Sequence, residues 1–151
     1  MDWTRYAGSL LLLCTLSCGE TIPPELLDYR ARCLPMNQEP LHETEDDPHE
    51  GIKNVFACDV TLDQLLDSAG APVYPYPDGT LIVKESQKEG QDFTWLIATA
   101  EKINGAWQWR EYTRNFGSED FVRLPVSEQV CIDCHKQVEA IDYIFTPYQA
   151  P

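Results

Sequence analysis

Phe93-Thr94-Trp95-Leu96-Ile97-Ala98-Thr99 and Ala106-Trp107-Gln108-Trp109-Arg110-Glu111-Tyr112 lie on either side of the dipeptide Asn104-Gly105. Both flanks are rich in β-branched and aromatic residues. Asn-Gly readily takes the two positive φ angles of a tight hairpin, so the flanks are expected to pair as antiparallel strands. Alternation puts Trp107 and Trp109 on one face of the second strand and Gln108 and Arg110 on the other. Phe93, Trp95 and Ile97 are expected to join the tryptophans in an aromatic wall that makes this face dry. Core packing is the plain role of such a wall, and contact with a cofactor is the other.

Working upstream, Thr80-Leu81-Ile82-Val83-Lys84-Glu85 reads as a third strand, fed by Pro72, Pro75 and the turn Pro77-Asp78-Gly79. Thr61-Leu62-Asp63-Gln64 has capping-box form, and Gly70 supplies a stop, which predicts a short helix over 62–69. Pro24 followed by Leu26, Leu27, Arg30, Cys33 and Leu34 predicts another over 24–34. Between these helices, Glu43-Thr44-Glu45-Asp46-Asp47-Pro48-His49-Glu50 is too charged to pack and reads as a solvated loop. Downstream, Ser127 can cap a helix that runs through Cys131, Cys134 and His135. The pattern is α+β: an antiparallel sheet with a few flanking helices, one of them C-terminal. At 151 residues, 43 % of them hydrophobic, the chain can bury one domain's core.

The start of the chain sets the compartment. Arg5 precedes the apolar run Ala7-Gly8-Ser9-Leu10-Leu11-Leu12-Leu13, followed by small and polar residues up to Ser17. Residues 1–17 therefore read as a signal peptide, too short to span a bilayer as a mature helix. Cys18, behind a small residue, looks like the acylated cysteine of a bacterial lipobox, although Thr15 departs from that pattern; an ordinary cleavable signal is the plainer reading. The expected location is periplasmic or exported, with the membrane reached only through such a lipid anchor.

Beyond the cytoplasm thiols oxidise, so mature cysteines should be paired or chemically committed. Of six cysteines, Cys14 leaves with the signal, Cys18 is the lipid candidate, and Cys131 and Cys134 belong to one motif. Cys33 and Cys58 remain, and are expected to form a disulfide that ties the N-terminal segment to the domain. The net charge of −14 survives signal removal, because Asp2 and Arg5 cancel. Such a surface repels nucleic acid and anionic headgroups and attracts a basic protein partner.

Val130-Cys131-Ile132-Asp133-Cys134-His135 carries the chemistry. On a helix, Cys131, Cys134 and His135 stand at i, i+3 and i+4 and share a face. This arrangement suits covalent attachment of one haem c: each thiol forms a thioether and the imidazole binds the iron as axial ligand. Zinc would need a fourth ligand from distant His42, His49 or a carboxylate. A thioredoxin-like thiol pair would need a βαβ context, and a plain disulfide is the third rival. Met36, His42 and His49 sit in polar settings and are expected to face solvent rather than the iron, which leaves the distal side open.

A β-rich body ahead of a C-terminal Cys-x-x-Cys-His differs from the all-helical cytochromes c. The stretch Asp78 to Glu85, with Cys131-Ile132-Asp133-Cys134-His135-Lys136 and Asp142-Tyr143-Ile144-Phe145-Thr146, resembles the cytochrome P-460 and cytochrome c′-beta family over roughly residues 50–148. The resemblance implies a P-460-like haem c domain over 50–151; the signal peptide over 1–17 and the N-terminal helix and acidic loop over 18–49 lie outside it and are read from their own residues. The resemblance further implies a homodimer, an open distal iron site, and either oxidation of hydroxylamine or binding of nitric oxide. Lys84 matches the strand lysine that bonds to the haem edge in the hydroxylamine-oxidising branch. Alternation places Lys84 with Ile82 and Thr80, which is equally compatible with a strand-end lysine that reaches solvent. Such an oxidation needs a proton acceptor; Glu128, Glu111 and Arg110 are polar groups near the motif and the hairpin, but no motif places any of them over the iron, so the catalytic assignment stops at Lys84 and the haem. Three functions stay open: a haem-dependent oxidoreductase, a gas-binding module, and an electron carrier.

Overall fold

The computed structural model describes residues 19–45 and 47–150. The expected signal segment and Cys18 fall outside them. The chain forms one six-stranded antiparallel sheet in sequence order: β1 (Leu34–Pro35), β2 (Ile52–Cys58), β3 (Leu81–Gln87), β4 (Leu96–Ile103), β5 (Ala106–Thr113) and β6 (Val122–Arg123). Three short helices flank it: α1 (Tyr29–Arg32), α2 (Leu62–Leu65) and α3 (Glu128–His135), the last continued by a 3₁₀ segment over Lys136–Ile141. The α+β expectation holds, including the C-terminal helix. No described helix is long and apolar enough to cross a membrane.

The Asn104-Gly105 turn sets the register. Both residues have positive φ, 52° and 77°, and the turn closes the pair Ile103–Ala106. Counting back from this pair, Trp107 faces Lys102, Trp109 faces Ala100 and Glu111 faces Ala98. Ile97 instead opposes Tyr112 and lies on the other face, while Phe93 and Trp95 precede β4. The expected aromatic wall is therefore corrected. The tryptophans look across at lysine and alanine, and they pack on Tyr76, 6.0 Å from Trp107 between ring centres, and on His135, 4.1 Å from Trp109.

An antiparallel sheet can leave one face to water. This one buries both. On the tryptophan face, Met36, Val55, Ile82, Trp109, Ile144 and Tyr148 share a core with residues of α3 packed against it. On the opposite face, Ile22, Tyr29, Val83, Ile97, Tyr112 and Phe121 form a second core. Met36 is completely buried, contrary to the expectation of a solvent-facing side chain.

Alternation alone did not reveal β2 or the two-residue strands β1 and β6; in β2, Lys53 and Asn54 interrupt the apolar pattern. Gly51 leads into β2 with φ of 93°, and any Cβ there would lie 2.2 Å from the Gln87 carbonyl oxygen, so the close crossing of the two chains requires glycine. The helix expected over 24–34 is broken into a 3₁₀ turn at Pro24–Leu26 and the single turn of α1. It ends because Cys33 must become extended: Leu34 pairs with Ala57. Thr61 and Gln64 do form the expected capping box, although α2 stops at Leu65.

Cys33 and Cys58 form the expected disulfide, with Cα atoms 4.4 Å apart and a sequence separation of 25. It anchors α1 over the second core. There Glu85, 5 % exposed, accepts hydrogen bonds from Arg30 Nε at 2.8 Å, Asn54 Nδ2 at 3.0 Å and the Tyr29 hydroxyl. A buried carboxylate with this many donors is well compensated. Replacing both cysteines by serine should lower unfolding free energy by about 3 kcal/mol, the entropic worth of a closed loop of this length. Chemical denaturation under oxidising conditions would check it, and a loss below about 1 kcal/mol would show that the noncovalent packing of α1 suffices.

Candidate functional site

One row of residues runs straight across four strands on the tryptophan face. Register aligns Val55, Lys84, Ala98 and Glu111 on β2, β3, β4 and β5. Ala98 presents no more than a methyl group between a lysine and a glutamate. The gap is spanned by His49, whose Nδ1 is 2.6 Å from Lys84 Nζ and whose Nε2 is 2.7 Å from Glu111 Oε1. A carboxylate only accepts, so Nε2–H donates to Glu111 and Nδ1 is left to accept from the lysine.

His49 reaches this position because the acidic loop is packed rather than solvated. Asp47 makes a 2.5 Å ion pair with Lys53, which is 4 % exposed and also donates to the carbonyls of His49 and Gly51, each at 3.0 Å. Glu43 accepts from Gly51 N–H at 2.7 Å, and Asp47 accepts from His49 N–H at 2.9 Å. The loop is therefore laced to β2 by its own carboxylates. His42 is exposed, as expected.

The charges respond to this packing. Burial pushes the Lys84 amine down to about 8, against the opposing pull of Asp47 and Glu111. The hydrogen bond from His49 holds Glu111 below the usual carboxylate range despite its burial. Burial works to raise Asp47, but its bond to Lys53 and the His49 N–H outweigh it, and its carboxyl also sits low.

α3 brings the motif to the same face. Ser127 Oγ accepts from Gln129 N–H at 3.3 Å, the cap expected from sequence, and Glu128 Oε1 accepts from the backbone N–H of Trp109 at 2.9 Å, which pins the helix to β5. Glu128 is thus a tether rather than a proton acceptor. Arg110 points to the opposite face, 3.6 Å from Glu101, and takes no part. His135 stacks on Trp109 at 4.1 Å and meets Phe145 edge-on at 5.0 Å. Its Nδ1–H donates to the Tyr143 carbonyl at 2.5 Å, leaving the lone pair on Nε2. Burial, with the nearby charges of Lys84 and His49 in support, lowers its pKa to about 4 against that hydrogen bond. Burial likewise raises the thiol of Cys131.

The cysteines correct one expectation. A haem c held through thioethers would commit Cys131 and Cys134 to covalent bonds. The covalently joined cysteines are instead Cys33 and Cys58, 25 residues apart, while Cys131 and Cys134 stand as free thiols. The expected haem c and its iron, with His135 as axial ligand and Lys84 as crosslink, therefore enter no step below. Among the described residues no group of three or more His, Cys, Asp or Glu side chains is arranged to hold a metal ion. No family model, curated protein or solved structure matches the chain.

Lys84, Cys131, Cys134 and His135 were legible as site residues and do converge on one face. His49 and Glu111 complete the site, and sequence reasoning undervalued both. Glu111 was among the polar candidates and alternates with Trp109 along β5, whereas His49 was expected to face solvent and nothing local marks it as part of a site.

His135 gives the site an acid signature. Below its ordinary 6.5 the unfolded chain protonates this imidazole, whereas the folded chain resists until about 4, so the unfolded state binds more protons across that window. Stability should fall by about 2 kcal/mol as pH drops through it, allowing for partial exposure. Urea titrations at pH 7, 6 and 5 should show the slope, and His135→Gln should flatten it.

Proposed function

We propose that this chain is an exported protein acting on hydroxylamine or a related small nitrogen oxide, the function implied by its resemblance to the cytochrome P-460 and cytochrome c′-beta family. The single observation that carries the reading is the buried chain Lys84–His49–Glu111 on the face that holds Cys134 and His135. Oxidising an N–O or N–H compound releases protons together with electrons, and an amine near neutrality hydrogen-bonded to a carboxylate-oriented imidazole is suited to accept them. The electrons would pass to a basic redox protein, of the cytochrome class, drawn to a surface of net charge −14. Export through the N-terminal segment, acylation of Cys18, the boundary near residue 50 and a homodimer belong to the same proposal.

A second reading is favoured by the aromatic surroundings of His135, which Trp109 and Phe145 line. Aromatic contacts around a half-buried imidazole suit nitric oxide or another small neutral gas bound without turnover.

Protein matured in an exporting host should consume hydroxylamine in the presence of an artificial one-electron acceptor. Glu111→Gln, which removes the carboxylate that orients His49, should lower kcat by about 100-fold, the ordinary worth of general-base catalysis, with little change in KM. Tight nitric oxide binding without turnover would select the second reading. Absence of both would sink this assignment of the site.

A further inference from the structure

Lys84, His49 and Glu111 repeat the logic of a nucleophile, a base and an orienting carboxylate. The nucleophile here is an amine. From these distances, 2.6 Å from Nζ to Nδ1 and 2.7 Å from Nε2 to Oε1, and from the cleft that opens onto Glu111, we infer that Lys84 is a covalent site for small aldehydes and ketones, which it binds as an imine. This activity is independent of the nitrogen-oxide reading and needs no oxidant.

Three observations support it. First, a lysine serving only the fold would be expected to pair with a carboxylate, as Lys53 does with Asp47 and Lys102 with Asp142, both at 2.5 Å. Lys84 is hydrogen-bonded to an imidazole nitrogen instead, a partner that can take its proton and return it. Second, the groups around the amine are mixed in sign: Asp47 and Glu111 favour its charge, burial and Lys53 oppose it, and burial is the largest effect. With a pKa of about 8, about one amine in ten is neutral at pH 7, against fewer than about one in a thousand for an ordinary lysine. Third, Pro48 and Glu111 line a surface cleft walled by Leu96, Trp95 and Leu124, so small solutes reach the carboxylate end of the chain.

The chemistry balances without a co-reactant. The neutral amine adds to the carbonyl carbon, forming the C–N bond as the C=O π pair moves to oxygen. The proton leaving nitrogen passes to His49 Nδ1, and Glu111 stabilises the imidazolium that results. His49 hands this proton to the alkoxide oxygen, giving the carbinolamine, and then carries the second N–H proton to the hydroxyl group, which departs as water as the nitrogen lone pair closes the C=N bond. Neither Lys84 nor His49 lines the cleft itself, so the carbonyl compound proposed is one of only a few carbon atoms.

The test uses the full mature chain with acetaldehyde and cyanoborohydride, which reduces the imine and traps it as an N-ethyl lysine located by peptide mass mapping. Lys136, more than half exposed, serves as the internal reference. At pH 7 Lys84 should be modified first, about 100-fold faster than Lys136, and its rate should level off above about pH 8. His49→Ala should erase most of that advantage while leaving Lys136 unchanged, and pyridoxal, a bulky aldehyde, should not discriminate in favour of Lys84. Modification of Lys84 no faster than Lys136 in the unaltered chain overturns the proposal, and this comparison requires no variant to fold. Hydroxylamine turnover, scored separately, can fail while the imine forms.

Discussion

A lysine and a glutamate placed in one row of a sheet, with a single alanine between them, impose the constraint on which the surrounding structure depends. Neither charge can be buried without a partner, because desolvation costs more than packing returns. Strand register fixes Lys84 and Glu111 on either side of Ala98, too far apart to pair directly, and the alanine leaves a trough over the middle strand. An imidazole fills this trough and hydrogen-bonds to both ends. The loop carrying His49 must then be held down, which explains why Asp47, Glu43 and Lys53 spend their polar atoms on the loop's own backbone and on each other.

β3 displays two solutions to the same problem. Glu85 and Lys84 are neighbours in sequence, point to opposite faces, and are covered by different layers. Glu85 collects donors from Tyr29, Arg30 and Asn54, enough to satisfy a carboxylate and fix α1 in place beside the disulfide. Lys84 receives one acceptor and stays electrostatically unsettled. The first arrangement secures the fold, and the second leaves an amine whose proton is held loosely. Strain of this kind tends to mark chemistry rather than stability.

α3 supplies the third ingredient. Glu128 ties its first turn to the Trp109 backbone, and the Tyr143 carbonyl fixes the tautomer of His135. Cys131, Cys134 and His135 thereby reach the same face as Lys84 across a chain separation of about fifty residues. Their packing on the tryptophans is intimate: the imidazole rests on Trp109 where the strand-pairing expectation had placed other aromatic rings.

Local chemistry by itself determined the central hairpin, the capping box at Thr61, the Ser127 cap, the pairing of Cys33 with Cys58, and the shared helical face of Cys131, Cys134 and His135. Each depends on contacts within a few residues, on a strict period of the backbone, or on elimination among few cysteines. Only the tertiary structure decided which strand faces met, that both were covered, that Met36 was core, and that a loop with so many carboxylates could fold inward to place His49 between Lys84 and Glu111. Those outcomes depend on register summed across four strands and on ion pairs between distant segments. No local pattern carries that information, because the energy of a buried charge is set by what the rest of the chain brings to it.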